Sequence, residues 1–358
     1  MRVSKVLVRF IWQILTLLAV VGWIFLLLSA FSNRISPLNH PYVPFFGLFF
    51  PVILLYNLLF LCLWLLFRKW KQLLVTLVVW GVCGGAIYTY YPIHGKTKEI
   101  PSDCIKVMTY NVMSFGYIGS HTKNNPHPIL QYVIDQDPDI VCFQEYDPFW
   151  LKEETIRKAL KSLPYSSSRQ ADLMVFSKYP IVSTRRLPID SRYNGACVME
   201  LDIRGRKVTL INNHLESNKI SSDERDGYYD LTKDPNTQKL ENFTHMMFQR
   251  LTPAFKARAE QARLVAQTIR KNQNPYILVC GDFNDTPISY AYRTIKGDLK
   301  DAFVESGSGM GISFNRYRFL FRIDYLFHSK NMKSYNSTVG KLKTSDHYPI
   351  CTYLQFLD

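Results

Sequence analysis

The chain has 358 residues, 47% of them hydrophobic, and a formal net charge of +14 at pH 7. Residues 1–99 carry nine Lys and Arg against one acid, so only +6 is left for everything after them, which permits an anionic substrate without requiring nucleic acid. Seven scattered cysteines with no CxxC pair exclude a disulfide framework.

From the N-terminus, Phe10 to Phe31, Val43 to Phe67 and Leu73 to Tyr91 are almost free of charge, each long enough to cross an apolar slab of roughly 30 Å. The expectation is a membrane domain over residues 1–91 with three transmembrane helices, the second holding Pro44, Pro51 and Asn57 against its neighbours. LSAFSN at 28–33 is a poor small-residue cleavage site, so the first segment reads as retained. Arg2, Lys5 and Arg9 precede the first segment and Arg68, Lys69 and Lys71 follow the second, against Arg34 alone between them. That bias predicts a multi-pass cell-membrane protein with its N-terminus cytoplasmic and the rest of the chain extracytoplasmic, periplasmic or external. Unpaired thiols are unusual in that setting, but Cys142, Cys280 and Cys351 fall in strand-like runs, where a thiol packs as a small apolar side chain.

Residues 92–102 read as a polar linker and 103–358 as one folded domain. Strand candidates are IKVMTYNV, PDIVCFQE, DLMVFS, ACVMELDI, KVTLINNHL, YILVCGDFN, RIDYLFHS and PICTYLQF, with a hairpin turn at Arg204 to Arg206. Helical patterns fall at Pro128 to Gln136, Phe149 to Leu163, Pro253 to Asn272 and Ser289 to Lys296. Residues 217–252 read as an insertion, charged at first and then carrying Phe243, Met246, Met247 and Leu251 at helical spacing; a lid or membrane-touching helix is the alternative. Hairpins mixed with helix-separated strands predict two sheets packed face to face with helices outside.

The strand ends hold the chemistry. Asn111 ends VMTYN, Glu145 follows IVCFQ, His214 ends LINNH, Asp282 and Asn284 follow YILVCG, Asp324 lies in RIDYLF, and Asp346 with His347 follows KTS. A carboxylate at the edge of a core is costly unless something compensates it. Oxygen-rich donors with few nitrogens and no thiolates suit Mg²⁺ or Mn²⁺, and metal-assisted phosphoryl chemistry needs such a set.

In order, N, QE, NHL, GDFNDTP, IDYLF and SDHYP resemble the motifs of the endonuclease/exonuclease/phosphatase superfamily of metal-dependent phosphoesterases, across Ile105 to Asp358. The resemblance implies an α+β, four-layer α/β/β/α sandwich of two mixed sheets with the site at one edge. It implies Glu145 as principal metal ligand, with Asn111 and Asp346 near the ion or its waters. Asp282 would accept a proton from the attacking water; Asn284, His214 and Asn111 would hold the phosphate; His347, oriented by Asp324, would face it as a cation or acid. Both Asp282 and His347 can handle a proton, so that assignment stays open. Asp285 reads as a turn cap without a catalytic role, and Arg258 and Gln261 as packing support. Many nucleases of the superfamily carry an acid just after the first Asn, whereas Val112, Met113 and Ser114 stand here, which puts a second metal in doubt.

The expected activity is a membrane-anchored, Mg²⁺- or Mn²⁺-dependent phosphoester hydrolase, phosphodiesterase or nuclease-like. Alternatives are a phospholipid or sphingolipid phosphodiesterase, a phosphomonoesterase or, outside that class, an inactive membrane-anchored binding or scaffold protein. The partners are the lipid bilayer and a phosphoester, which could be nucleic acid, a lipid headgroup or a small phosphate; no protein partner is inferable. Arg316, Arg318 and Arg322 would flank a nuclease cleft, or else are outward positions on a strand.

Overall fold

The computed structural model describes residues 2–116, 127–148, 151–191, 193–219, 233, 236–316 and 319–357. Its N-terminal part is helical and departs from the three spans expected. Arg2–Phe31 is one 30-residue helix, and Lys5–Arg34 is, among the described residues, the one helix long and apolar enough by itself to cross a membrane. Val43 to Phe67 is not a single span: it breaks at Phe49 into Pro44–Leu48 and the 17-residue Phe50–Leu66. Pro44 and Pro51 each sit in the first turn of their helix, where a missing N–H is harmless, whereas either would break a helix running through it. Leu73 to Tyr91 is likewise bent by 66° between Trp70–Val82 and Gly84–Tyr90, where Gly84 and Gly85 weaken helical preference. The structure therefore offers one span, or two if the bent pair counts as one, and the multi-pass topology lacks its support.

These helices pack through small and polar residues. Buried Asn57 donates to the Gly22 carbonyl at 3.0 Å, and Trp23 Nε1 donates to Thr76 Oγ1 at 3.1 Å. A Cβ on Gly22 would meet the Tyr56 ring at 2.5 Å, so glycine there sets how closely the two helices approach.

Fourteen strands follow among the described residues: β1 (Ile105–Asn111), β2 (Ile140–Gln144), β3 (Tyr165–Ser166), β4 (Met174–Ser177), β5 (Ile181–Arg186), β6 (Gly195–Ile203), β7 (Arg206–His214), β8 (Tyr276–Asp282), β9 (Lys300–Asp301), β10 (Phe314–Arg316), β11 (Phe319–Phe321), β12 (Asp324–His328), β13 (Met332–Val339) and β14 (Ile350–Phe356). They form two six-stranded sheets, β13-β14-β1-β2-β4-β3 and β5-β6-β7-β8-β12-β9, with β10-β11 a separate hairpin. Both sheets are mixed, β1·β2 and β7·β8 being parallel and their other pairs antiparallel.

Helices Pro128–Gln136 and Glu153–Ala159 cover the first sheet through Ile129, Leu130, Val133 and Ile156. Helices Thr237–Lys271 and Tyr290–Lys296 cover the second through Ala262, Val265, Ala291 and Ile295. This is the sandwich expected. The helix predicted over Phe149 to Leu163 shrinks to Glu153–Ala159, and Phe149 lies outside the described residues. The one predicted from Pro253 begins sixteen residues earlier, at Thr237 with Asn236 as its cap, and keeps Pro253 inside it. Within the insertion, residues 220–232 and 234–235 lie outside the described residues; Met247 and Leu251 pack against Phe45, Leu48 and Phe255, giving that helix a buried face.

The gap between the sheets positions the site. Because strand side chains alternate, every second residue of a central strand enters this gap. Those rows begin apolar, at Ile105 and Val107, Ile140 and Cys142, Val208 and Leu210, and Leu278 and Cys280. One step on they turn polar: Gln144 Nε2 donates to Thr109 Oγ1 at 3.1 Å and to Asn212 Oδ1 at 2.6 Å, a buried bridge between sheets. The next step along the rows reaches Asn111, His214 and Asp282.

Candidate active site

Strand register assembles the site. β7 pairs His214 with Asp282 and β12 pairs Asp324 with Asp282, so the three stand on one transverse rung of the second sheet. Opposite them β1 ends at Asn111, paired with Gln144, and Glu145 follows. Asn111, His214, Asp282, Asp324 and His347 are all buried. Gly281 has φ +124° and an added Cβ would lie 2.0 Å from the Asn213 carbonyl oxygen, so only glycine lets β7 and β8 meet at this rung. Three non-glycine residues in a row, Met113, Ser114 and Phe115, hold φ between +45° and +61°, a left-handed turn that L-residues resist. Asn111 secures it by accepting from the Met113 N–H at 3.1 Å, and the Ser114 N–H donates to the Glu145 carbonyl at 2.9 Å. Glu145 itself sits at φ +50° and Asn284 at +52°, a region asparagine tolerates better than glutamate.

Asp282 Oδ2 is the hub. Asn111 Nδ2 donates to it at 3.1 Å and Asn284 Nδ2 at 3.3 Å, while His347 Nε2 lies 3.6 Å and His214 Nε2 3.8 Å away. Its other oxygen accepts from the Asn284 N–H at 2.8 Å. Each imidazole is backed by its own carboxylate, His347 Nδ1 by Asp324 Oδ2 at 2.8 Å and His214 Nδ1 by Asp172 Oδ2. Burial alone would lower both histidines; for His214 the Asp172, Asp282 and Glu145 charges outweigh it, and for His347 those of Asp324, Asp282 and Asp346, carrying each pKa up to about 10. Asp282 is pushed up to about 6 because burial and the Asp324 charge outweigh the pull of His347 and His214. The rung is thus a carboxylate between two imidazolium-like rings.

Asp172 was absent from the candidates read off the sequence. It lies just before β4, and its signal was faint: an acid at the head of the apolar run LMVF, with no motif around it. Asp285 caps the turn by accepting from the Thr286 N–H at 3.0 Å and carries buried Arg258, whose Nε lies 3.1 Å from its Oδ2. Arg258 also donates to the Glu216 carbonyl, and Gln261 accepts from the Glu216 N–H, so this pair braces the chain leaving β7.

Of the expected metal ligands, Asn111 donates to Glu145 Oε1 at 3.0 Å, whereas Asp346 is paired with Arg316 at 3.1 Å. Ser345, whose hydroxyl donates to the Asn111 carbonyl, ties the Asp346 loop to the end of β1. Among the described residues, the compact group of acidic and imidazole ligand atoms, within 4.8 Å of one another, is instead Asp282, Asp324 and His347. That trio could hold an ion, or share a proton between His347 and the two carboxylates that raise its pKa. The carboxylate of Glu145 offers hard oxygen donors to a divalent cation, while Asn111 turns its amide nitrogen to Glu145 and its oxygen to the Met113 N–H, and Asp346 is held by Arg316. Buried Arg322 points inward, its guanidinium over the Phe303 ring and donating to the Thr89 carbonyl, and Arg318 lies outside the described residues. Arg322 is therefore no part of the basic flank sketched for a nuclease, whereas Arg316 stands beside the site on Asp346 and Met113.

Residues 108–347 match the model of a family described as the Endonuclease/Exonuclease/phosphatase family, and residues 11–90 match a domain of unknown function. Among solved structures, a humanized TDP2 from D. rerio superposes with a TM-score of 0.51 at 16% identity, over 71% of this chain and 100% of that one. The human Nocturnin catalytic domain with bound sulfate superposes with a TM-score of 0.51 at 16% identity, over 71% of this chain and 95% of that one. At such identities the likeness carries the fold alone. No curated protein matches the chain.

Proposed function

Since the chain belongs to the endonuclease/exonuclease/phosphatase family, we propose that it hydrolyses a phosphoester in the gap around Asp282. The observation that carries this reading is the convergence of four nitrogen donors, from Asn111, Asn284, His214 and His347, on one carboxylate oxygen. A phosphate entering the gap offers its oxygens to those same donors. Its charge then rests on two imidazolium rings among buried side chains, where such stabilisation is worth most.

Asp282, with a pKa of about 6, is ionised at neutral pH yet basic enough to take the proton of the attacking water. As the water oxygen bonds to phosphorus, the bond to the leaving oxygen breaks, and His347 Nε2 supplies that oxygen with a proton. Asp324 holds His347 in the tautomer and orientation this needs, and Asp172 does the same for His214. Glu145 and Asn111, joined by Asp346, would hold Mg²⁺ or Mn²⁺, which supplies positive charge against the phosphoryl oxygens. Lys5–Arg34 anchors the protein in a bilayer. Arg2, Lys5 and Arg9 at the start of this helix keep that end cytoplasmic, and with Lys5–Arg34 as the single crossing the sandwich lies on the other face.

The test is turnover of bis-p-nitrophenyl phosphate and p-nitrophenyl phosphate by the detergent-solubilised full chain with Mg²⁺, with and without EDTA. Turnover that EDTA and Asp282→Asn both abolish supports the reading. Turnover indifferent to both would remove the metal and Asp282 from the reading, and Mg²⁺ binding with no turnover of either ester would favour a scaffold on this fold.

A further inference from the structure

A second cavity of about 1020 Å³ lies away from the catalytic rung, between the N-terminal helices and the long helix Thr237–Lys271. Its wall is aromatic, with Phe25, Tyr42, Phe45, Phe49 and Phe248 among the lining residues. The volume is at the upper end of the ~300–1,000 Å³ of ordinary small-molecule sites. Two features point to what it holds.

The cavity is continuous with the apolar surface of the anchor. Phe25 belongs to Lys5–Arg34, and Phe25, Phe49 and Val52 expose much of their side chains. It also lies toward the Arg34 end of that helix, where the sandwich sits: Arg263 Nη2 donates to Ser36 Oγ at 3.1 Å, and Phe45 stacks edge-on against Phe255 of the long helix at 5.4 Å. Clustered aromatic side chains there belong at the boundary of the hydrocarbon layer. The second feature is polar. The hydroxyl of half-buried Thr252, a wall residue, is shielded from the cavity as it stands and has no hydrogen-bond partner among the described residues, a costly state for a donor that a turn of the side chain toward a ligand acceptor relieves.

We propose that this cavity binds one acyl chain of a glycerophospholipid, its ester carbonyl accepting from Thr252 Oγ1. This rests on the reading of Lys5–Arg34 as membrane-embedded. The lipid fills the space between the anchor and the long helix, completing a seam that the protein leaves open, with exposed His245 and Gln249 on the same wall to meet the headgroup region.

The test uses the full chain in phosphatidylcholine vesicles doped with a phosphatidylcholine that carries a diazirine in one acyl chain. After irradiation the adducts are mapped by peptide mass spectrometry. Adducts should be enriched in peptides holding residues 42–53 and 245–253. Val52→Trp, which fills the cavity from an exposed position, should lower them about tenfold, equivalent to ~1.4 kcal/mol of affinity, while adducts near exposed Leu17 on the outer face of the anchor stay unchanged. Thr252→Val, close in shape, should lower the cavity adducts without moving those near Leu17. Labelling near Leu17 with no enrichment at the cavity, or cavity adducts insensitive to both substitutions, would overturn the proposal and leave the anchor intact. Release of the chain from vesicles by alkaline carbonate, with no adducts anywhere, would overturn the anchor reading as well.

Discussion

His347 Nδ1 lies 2.8 Å from Asp324 Oδ2, which leaves Nε2 turned toward Asp282 at 3.6 Å. A single hydrogen bond between the loop after β13 and the start of β12 thus orients the ring within the proposed site. Asp324→Asn keeps the shape but offers an amide where a carboxylate stood. Turnover should fall by about 10²–10⁴, the range of a lost acid–base group, with KM little changed and the melting temperature retained. Steady-state kinetics and a thermal melt in detergent check it, and unchanged turnover would remove His347 from the chemistry.

Activity should trace a bell against pH. The acid limb follows Asp282, which must lose its proton near pH 6 to act as a base, and the alkaline limb follows loss of protons from His347 and His214 near pH 10. Stability carries matching signs. Asp282 binds its proton more tightly folded than unfolded, so the stability it contributes is present below its ordinary pKa of 3.8 and lost as pH rises through about 6. The histidines contribute below their ordinary 6.5 and lose that contribution as pH rises through about 10. Asp282→Asn should accordingly abolish turnover while raising the melting temperature at pH 7 to 8; a lower melting temperature there would contradict the burial argument.

Two candidate metal sets give opposite expectations. If Glu145 and Asn111 hold the ion, Glu145→Gln weakens Mn²⁺ affinity by about 100-fold, at least what a supporting residue of a metal site costs, and Asp324→Asn leaves it near wild type. Titration of the full chain followed by Mn²⁺ electron paramagnetic resonance reads this directly. The reverse pattern would move the ion to Asp282, Asp324 and His347.

Asp172→Asn tests the residue that motif reading missed. Its carboxylate contacts His214 Nδ1, and Asp172 Oδ1 has no hydrogen-bond partner among the described residues. The substitution should pull the alkaline limb of the pH profile to lower pH, because His214 loses its largest stabilising charge. An unmoved limb alongside lower activity would make Asp172 purely structural.

Arg258→Met should cost about 3–5 kcal/mol of stability, since it strands buried Asp285 without a counter-ion. Adding Asp285→Asn should restore much of the loss. Melting temperatures of the two variants decide it, and equal destabilisation would place the weight on the Glu216 and Asn218 contacts instead.

The central strands were legible because their rows obey a strict rule, apolar for several steps and then polar at one end, and because GDFN and SDH mark two of those ends. Strands β5 and β13 escaped notice since their side chains are largely polar or exposed. Asp172 escaped because an acid before a strand is commonplace until register sets it beside His214. The three-span expectation failed for a different reason. Hydropathy counts apolar residues and is blind to where the backbone turns, and at Phe49 and Cys83 it turns within otherwise apolar sequence.

The helix Thr237–Lys271, 35 residues and so about 50 Å long, meets the N-terminal helices through Met247, Leu251 and Phe255 and braces Asp285 and Glu216 from Arg258 and Gln261 about a turn further on. Leu251 and Phe255, which pack against Phe45, share a helix face with Arg258, so the turn that carries Asn284 is tied through Asp285 to the same stretch of backbone that seats the N-terminal helices.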